Sequence, residues 1–146
     1  MSRHAPRNLA LKLERIRREA EQHPDRLDLA LSGLELSVVP CWALERDLIE
    51  LDLSRNHLVE VPEELALLER LATLDLRHNR LTAVPPAVRA LGRLEELWLD
   101  GNRIEAVPDW LGELPALGYV QLRGNPIPAT ERARIEARLP GLRLGW

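Results

Sequence analysis

The chain has 146 residues, a length suited to one domain, and its 45% hydrophobic and 29% charged residues are the balance of a globular protein. A net charge of −3 is too small to mark a nucleic-acid binder, and the single Cys41 excludes an intramolecular disulfide and a multi-cysteine metal site. No apolar run approaches the roughly 20 residues of a membrane helix, and none follows the basic start as in a cleaved signal, so a cytoplasmic location is expected. A protein secreted without a cleaved signal would have the same composition. Aromatic residues are only 3%, with no Phe, so a core must be built from aliphatic side chains.

In chain order, residues 1–5 carry no pattern, and Pro6 to about Gln22 reads as a helix. Leu9, Leu13, Ile16 and Ala20 are spaced 4, 3 and 4 apart and share one face, with Lys12, Arg15, Arg18 and Glu19 largely opposite. His23-Pro24 ends it, because a residue before proline avoids helical angles. A basic amphipathic helix can lie on a membrane or an acidic partner. Here the stripe is short and Glu14, Glu19 and Glu21 dilute its charge, so a cap over residues 6–24 is expected.

From residue 26 to 127 one unit recurs about five times. Leu48–Arg70, Leu71–Arg93 and Leu94–Ala116 are each 23 residues long with no insertion between them. A degenerate copy precedes them, with Leu34 where later copies have Asn and one residue fewer between Pro40 and Leu48. A fourth regular start at Leu117 departs from the pattern after Ile127. Terminal units of a repeat array are expected to be atypical in this way.

Aligned by period, Leu48, Leu71, Leu94 and Leu117 form one column. Leu51, Leu74, Leu97 and Val120 form a second, and Leu53, Leu76, Leu99 and Leu122 a third. The step of two between the last columns is a strand period, which puts both on one face. Each strand is too short to stand alone, but stacked copies make a parallel sheet. The return path, Leu58, Val61, Leu65, Leu68 in one unit and Leu81, Val84, Val88, Leu91 in the next, has spacings of 3 and 4 that suit a helical or 3₁₀ segment. Asn56, Asn79, Asn102 and Asn125 form a further column at the bend. An inward amide carries both donors and acceptors for backbone groups that cannot reach water, so this ladder is structural.

Residues 128–146 form a C-terminal cap. Thr130 is expected to cap a short helix to about Arg138, with Ile135 and Leu139 covering the last repeat. Leu142, Leu144 and Trp146 alternate as in an extended tail.

The pattern LxxLxLxxNxLxxVPxxLxxL resembles the leucine-rich repeat family in its 23-residue form. The resemblance implies one α/β domain over 1–146, a right-handed solenoid with parallel strands on its concave face, an N-terminal capping helix and a C-terminal helical cap. It also implies protein–protein recognition, and the absence of paired cysteines in the caps points to a short, intracellular, bacterial-like member.

Residues flanking the inward leucines face outward in three columns: Asp28, Glu50, Thr73, Glu96 and Tyr119; Ala30, Asp52, Asp75, Trp98 and Gln121; Ser32, Ser54, Arg77, Asp100 and Arg123. Glu50, Asp52, Thr73, Asp75, Arg77, Glu96, Trp98, Asp100, Tyr119, Gln121 and Arg123 are the candidate partner-binding residues of the concave face, although in the third column Arg77, Asp100 and Arg123 could equally pair with one another as a charge ladder. Asp52 and Asp75, flanked by Glu50 and Glu96, place like charges on adjacent strands, a field suited to a basic partner. Trp98 and Tyr119 are candidate interface anchors. Trp42, Trp110 and Trp146 are assigned to packing, the first two against the return segments and the last in the C-terminal cap.

Catalytic signals are scarce. His4, His23, His57 and His78 are scattered, Cys41 has no nearby His and reads as a buried, inert thiol, and no Gly-rich phosphate loop occurs. The expectation is a non-enzymatic binding module for a protein or peptide, with no cofactor, no metal, no nucleic acid and no membrane. The alternatives are a self-associating scaffold, hence a homo-oligomer, or a regulatory subunit of an enzyme.

Overall fold

Leucine at both ends of a two-residue step lets each repeat offer one apolar edge to the next, and this edge becomes a sheet. The computed structural model describes residues 5–146, so residues 1–4, including His4, lie outside it. Six three-residue strands pair in parallel in chain order: β1 (Asp28–Ala30), β2 (Glu50–Asp52), β3 (Thr73–Asp75), β4 (Glu96–Trp98), β5 (Tyr119–Gln121) and β6 (Arg143–Gly145). Leu29, Leu51, Leu74, Leu97 and Val120 stand opposite one another in register, each 6% exposed or less. The pairing continues past the strands. Leu31, Leu53, Leu76 and Leu99 donate their amides to Asp52, Asp75, Trp98 and Gln121 of the following repeat, each at 2.8 Å.

A proline turns every chain back. Pro40, Pro62, Pro85 and Pro108 hold φ between −57° and −73°, and each precedes a five-residue 3₁₀ turn: Cys41–Glu45, Glu63–Leu67, Pro86–Ala90 and Asp109–Glu113. The ring fixes that angle and removes a donor that would be idle there. Each proline carbonyl accepts the amide three residues on, from Ala43, Leu65, Val88 and Leu111, and these four side chains are buried. The turns thus form the second layer of the solenoid.

Four asparagines join the layers at the bend. Asn79 Nδ2 donates to the carbonyls of Leu53 (3.0 Å) and Leu76 (3.1 Å), and its Oδ1 accepts the Leu58 amide (3.0 Å). Asn102 and Asn125 repeat the scheme one unit further on. Asn56 accepts two amides, from Leu34 and Leu36, because the first repeat has leucine in place of its own asparagine.

The ends are covered by helices. In α1 (Ala5–Gln22) Leu9, Leu13 and Ile16 are half-buried against the core and Ala20 is buried, as a cap requires. Its opposite face is laced by Arg17–Glu21 and Arg18–Glu14 pairs. At the other end α2 (Ala129–Arg138) buries Ile135, and Leu139 just past its end is buried too. A Cβ at Gly112 would come within 2.6 Å of Leu139, so glycine there lets the helix end approach the last 3₁₀ turn. Thr130 is not the cap. Pro128 occupies that position, with extended backbone and no side-chain bond, and Thr130 is inside the first turn. Arg134 holds the helix down instead, reaching Asp109 (2.5 Å), the Val107 carbonyl (2.9 Å) and Glu131 (2.8 Å). Beyond α2 the tail is more ordered than an alternating pattern alone requires. It pairs with β5 as the sixth strand, Arg143 opposite Tyr119 and Gly145 opposite Gln121.

Two outcomes follow. Asn79→Ala strips the buried Leu58 amide of its acceptor and removes one of two asparagine donors from the carbonyls of Leu53 and Leu76, which keep those of Asn56 and Asn102. It is expected to cost about 1–3 kcal/mol, a fall of roughly 3–10 °C in melting temperature, while the outward face is untouched. The Glu131 carboxylate, bonded by Arg134 and by the Val107 amide, has its pKa lowered from 4.5 to about 2. A carboxyl with a depressed folded-state pKa stabilises the fold above its ordinary range and loses that effect as pH falls. Glu131→Gln should therefore melt below the parent at pH 7, and the two should converge as pH approaches about 2.

Candidate functional site

Because the leucines turn inward, the intervening strand residues must face out, and strand register sets their columns. Asp28, Glu50, Thr73, Glu96, Tyr119 and Arg143 form one row across the sheet, and Ala30, Asp52, Asp75, Trp98, Gln121 and Gly145 the next. Ser32, Ser54, Arg77, Asp100 and Arg123 follow where the chain leaves the strands.

Charges on this face are satisfied differently from the expected ladder. Arg77 turns back onto Asp75 of its own repeat, Nε at 3.0 Å from both carboxylate oxygens and Nη2 at 2.6 Å. Asp75 Oδ1 already accepts the Arg77 amide (3.0 Å), so the two side chains start out side by side, and a planar guanidinium fits a carboxylate bidentately. That pairing raises the Arg77 pKa. Asp52 likewise accepts the Ser54 amide (2.9 Å), and Ser54 and Ser32 share a hydroxyl bond of 2.9 Å. The two aspartates thus have turn-capping work of their own, and Asp75 is neutralised. Asp28 pairs with Arg26 at 3.0 Å, which lowers its pKa. Arg123 donates to the Trp146 carbonyl at 3.4 Å. Asp100 is left with a buried Oδ2 that accepts no hydrogen bond. Glu50 is exposed and Asp52 half-buried, and these two with Glu96 carry the remaining acidity.

Trp98 and Tyr119, both half-buried, meet edge to face with ring centroids 5.4 Å apart and planes at 74°. Trp98 Nε1 donates to Glu96 at 3.1 Å, and the Tyr119 hydroxyl donates to Gln121 at 2.5 Å. A guanidinium lies by each ring, Arg77 at 5.1 Å from the Trp98 centroid and Arg143 at 5.9 Å from that of Tyr119. Cation–π distances of this size hold rings and cations in place without closing the face to a partner. Arg143 is the residue that the sequence reading missed. The alternation of Leu142, Leu144 and Trp146 already turned it outward, but its partner strand came only with the register. Gly145 belongs to the same corner, since a Cβ there would overlap the Gln121 amide.

Other assignments divide. Trp42, Trp110 and Trp146 pack against the core, and Trp146 Nε1 also donates to Glu136 at 2.7 Å. Cys41 is exposed, contrary to expectation. It opens a 3₁₀ turn just after the proline, where Glu63, Pro86 and Asp109 also face water. His57 and His78 come together at one rim of the sheet. Among the described residues no group of three His, Cys, Asp or Glu side chains is placed to hold a metal ion, and no helix is long and apolar enough to cross a membrane.

A family model described as leucine rich repeat matches residues 46–104 and again 69–127, so the matched region covers more than half of the chain. Among solved structures the chain is similar to a leucine-rich repeat protein of Leptospira interrogans, at 31% identity and a TM-score of 0.71, over 77% of this chain and 29% of that one. It is similar to a chain of the Drosophila melanogaster SNF/U2A′ complex, at 26% identity and 0.65, over 80% and 71%. It is also similar to a chain of a TLR13–ssRNA13 complex, at 28% and 0.63, over 76% and 16%. The chain thus spans less than a third of the Leptospira protein. No curated protein sequence matches it.

Proposed function

We propose, from the premise that this chain belongs to the leucine-rich repeat family, that it is a non-enzymatic module whose concave face binds a protein or peptide. The family and its solved relatives support an interaction module. The reading of the face itself rests on one observation, the edge-to-face Trp98–Tyr119 pair held on open sheet by Glu96, Gln121, Arg77 and Arg143. Rigid aromatics with satisfied polar ends lose little entropy on binding and supply large contact area, which is why they serve as interface anchors. Beside them the exposed Glu50 and the half-buried Asp52 offer acceptors to cationic or donor groups of the partner.

One solved neighbour is named with a single-stranded RNA. On this chain Glu50, Asp52 and Glu96 would oppose a phosphate backbone along the sheet, which favours a protein or peptide partner with basic and apolar groups. Six strands span about 24 Å, a small face against the roughly 800 Å² per partner of a stable complex, so binding of moderate strength is expected. A cytoplasmic location, supported by the lone exposed cysteine, belongs to the same reading.

Affinity capture with the parent beside Trp98→Ala/Tyr119→Ala tests it. The expected result is a partner held by the parent and lost by the double variant, with equal melting temperatures and binding that weakens as salt rises. Equal capture by both would move the site off the concave face, and recovery of the bait alone would favour self-association.

A further inference from the structure

The residue before each of the four column asparagines, and before Leu34 at the same position of the first repeat, sits in left-handed backbone. Three are glycines, Gly33, Gly101 and Gly124, with φ of 68°, 65° and 74°, as the conformation favours. The other two are Arg55 at 55° and His78 at 54°. Side chains at such angles are strained, and strain that persists where the fold offers glycine points to a use for the side chain. Both line a shallow groove on the rim, beyond the concave face, together with His57, Arg80 and Arg103 two positions further along their repeats. No carboxylate lines this groove. Among the described residues Arg55, Arg80 and Arg103 come within 4.0 Å of no carboxylate; other arginines such as Arg15 and Arg93 are unpaired too, but these three share one groove. Gly101 leaves room for the His78 ring, which a Cβ there would overlap, so the imidazole lies against the next repeat.

We propose that this rim groove is a second docking site, independent of the concave face, which takes a short acidic peptide segment. Its charge calls for an anion and its length selects the kind. Three repeats at about 4.8 Å spacing make a groove of roughly 10–15 Å, which matches two or three carboxylates on one side of an extended peptide. Along the rim the first repeat places the exposed Glu35 at the position of His57, Arg80 and Arg103, so a longer polyanion such as RNA would meet a like charge there.

The test uses the full chain and a short fluorescent peptide of alternating Glu and Ser, with a single-stranded oligouridine as the competing probe. Arg55→Gly/Arg80→Gln/Arg103→Gln removes three cations, and its glycine suits the backbone it enters. The control Arg15→Gln/Arg18→Gln/Arg93→Gln removes the same charge elsewhere. Peptide binding should fall about tenfold or more in the groove variant and remain in the control and in Trp98→Ala/Tyr119→Ala, and Arg55→Gly alone should melt no lower than the parent. Absence of peptide binding to the parent, equal loss in the control, or binding of oligouridine in preference to the peptide would overturn the proposal. Loss of binding in the Trp98/Tyr119 variant alone would return the acidic ligand to the concave face and overturn the rim assignment.

Discussion

The asparagine amide that bonds two repeats at once is the constraint on which the rest of this structure depends. At the bend the backbone turns several polar groups inward, and burial without partners would cost about 1–3 kcal/mol for each. Asn79, Asn102 and Asn125 each take an amide from the preceding repeat and donate to carbonyls of both repeats. That geometry closes only if successive bends stack in register, so the spacing between asparagines is held at 23 residues. The irregular units are at the ends, where a helix replaces one neighbour. The first repeat does without its own asparagine because Asn56 serves Leu34 and Leu36 together.

With the inward positions committed to leucine and asparagine, chemical variety is confined to the outward rows and the rim. The outward rows are not uniform along the stack. Toward the N-terminal end they carry the exposed Glu50 and the half-buried Asp52, and toward the C-terminal end the Trp98–Tyr119 pair with Arg77 and Arg143. The capping strand β6 is part of this arrangement, since Arg143 and the bare Gly145 complete the surroundings of Tyr119 and Gln121. A segment that closes the solenoid therefore also shapes its open face.

The columns were legible in the sequence because an unbroken period converts offset directly into neighbourhood. The inward leucines, the asparagine ladder and the two outward rows all fall where that arithmetic puts them. What the period does not specify is a choice between equivalent neighbours. Arg77 has a carboxylate two residues back as well as one across the sheet, and the local turn, with Asp75 capping the Arg77 amide, selects the first. The edges of the array escape the arithmetic for a related reason. Thr130 looks like a cap by residue type, but Pro128 sets the extended backbone that the cap position needs. The exposure of Cys41 was recoverable from its counterparts Glu63, Pro86 and Asp109, which no buried column would contain.

Amide hydrogen exchange on the intact chain tests the asparagine ladder most directly. The amides of Leu58, Leu81 and Ile104, which donate to Asn79, Asn102 and Asn125, should exchange only through global unfolding and at a common rate. If they exchange early while Leu53, Leu76 and Leu99 on the sheet remain protected, the strands alone hold the stack and the ladder is not its organising constraint.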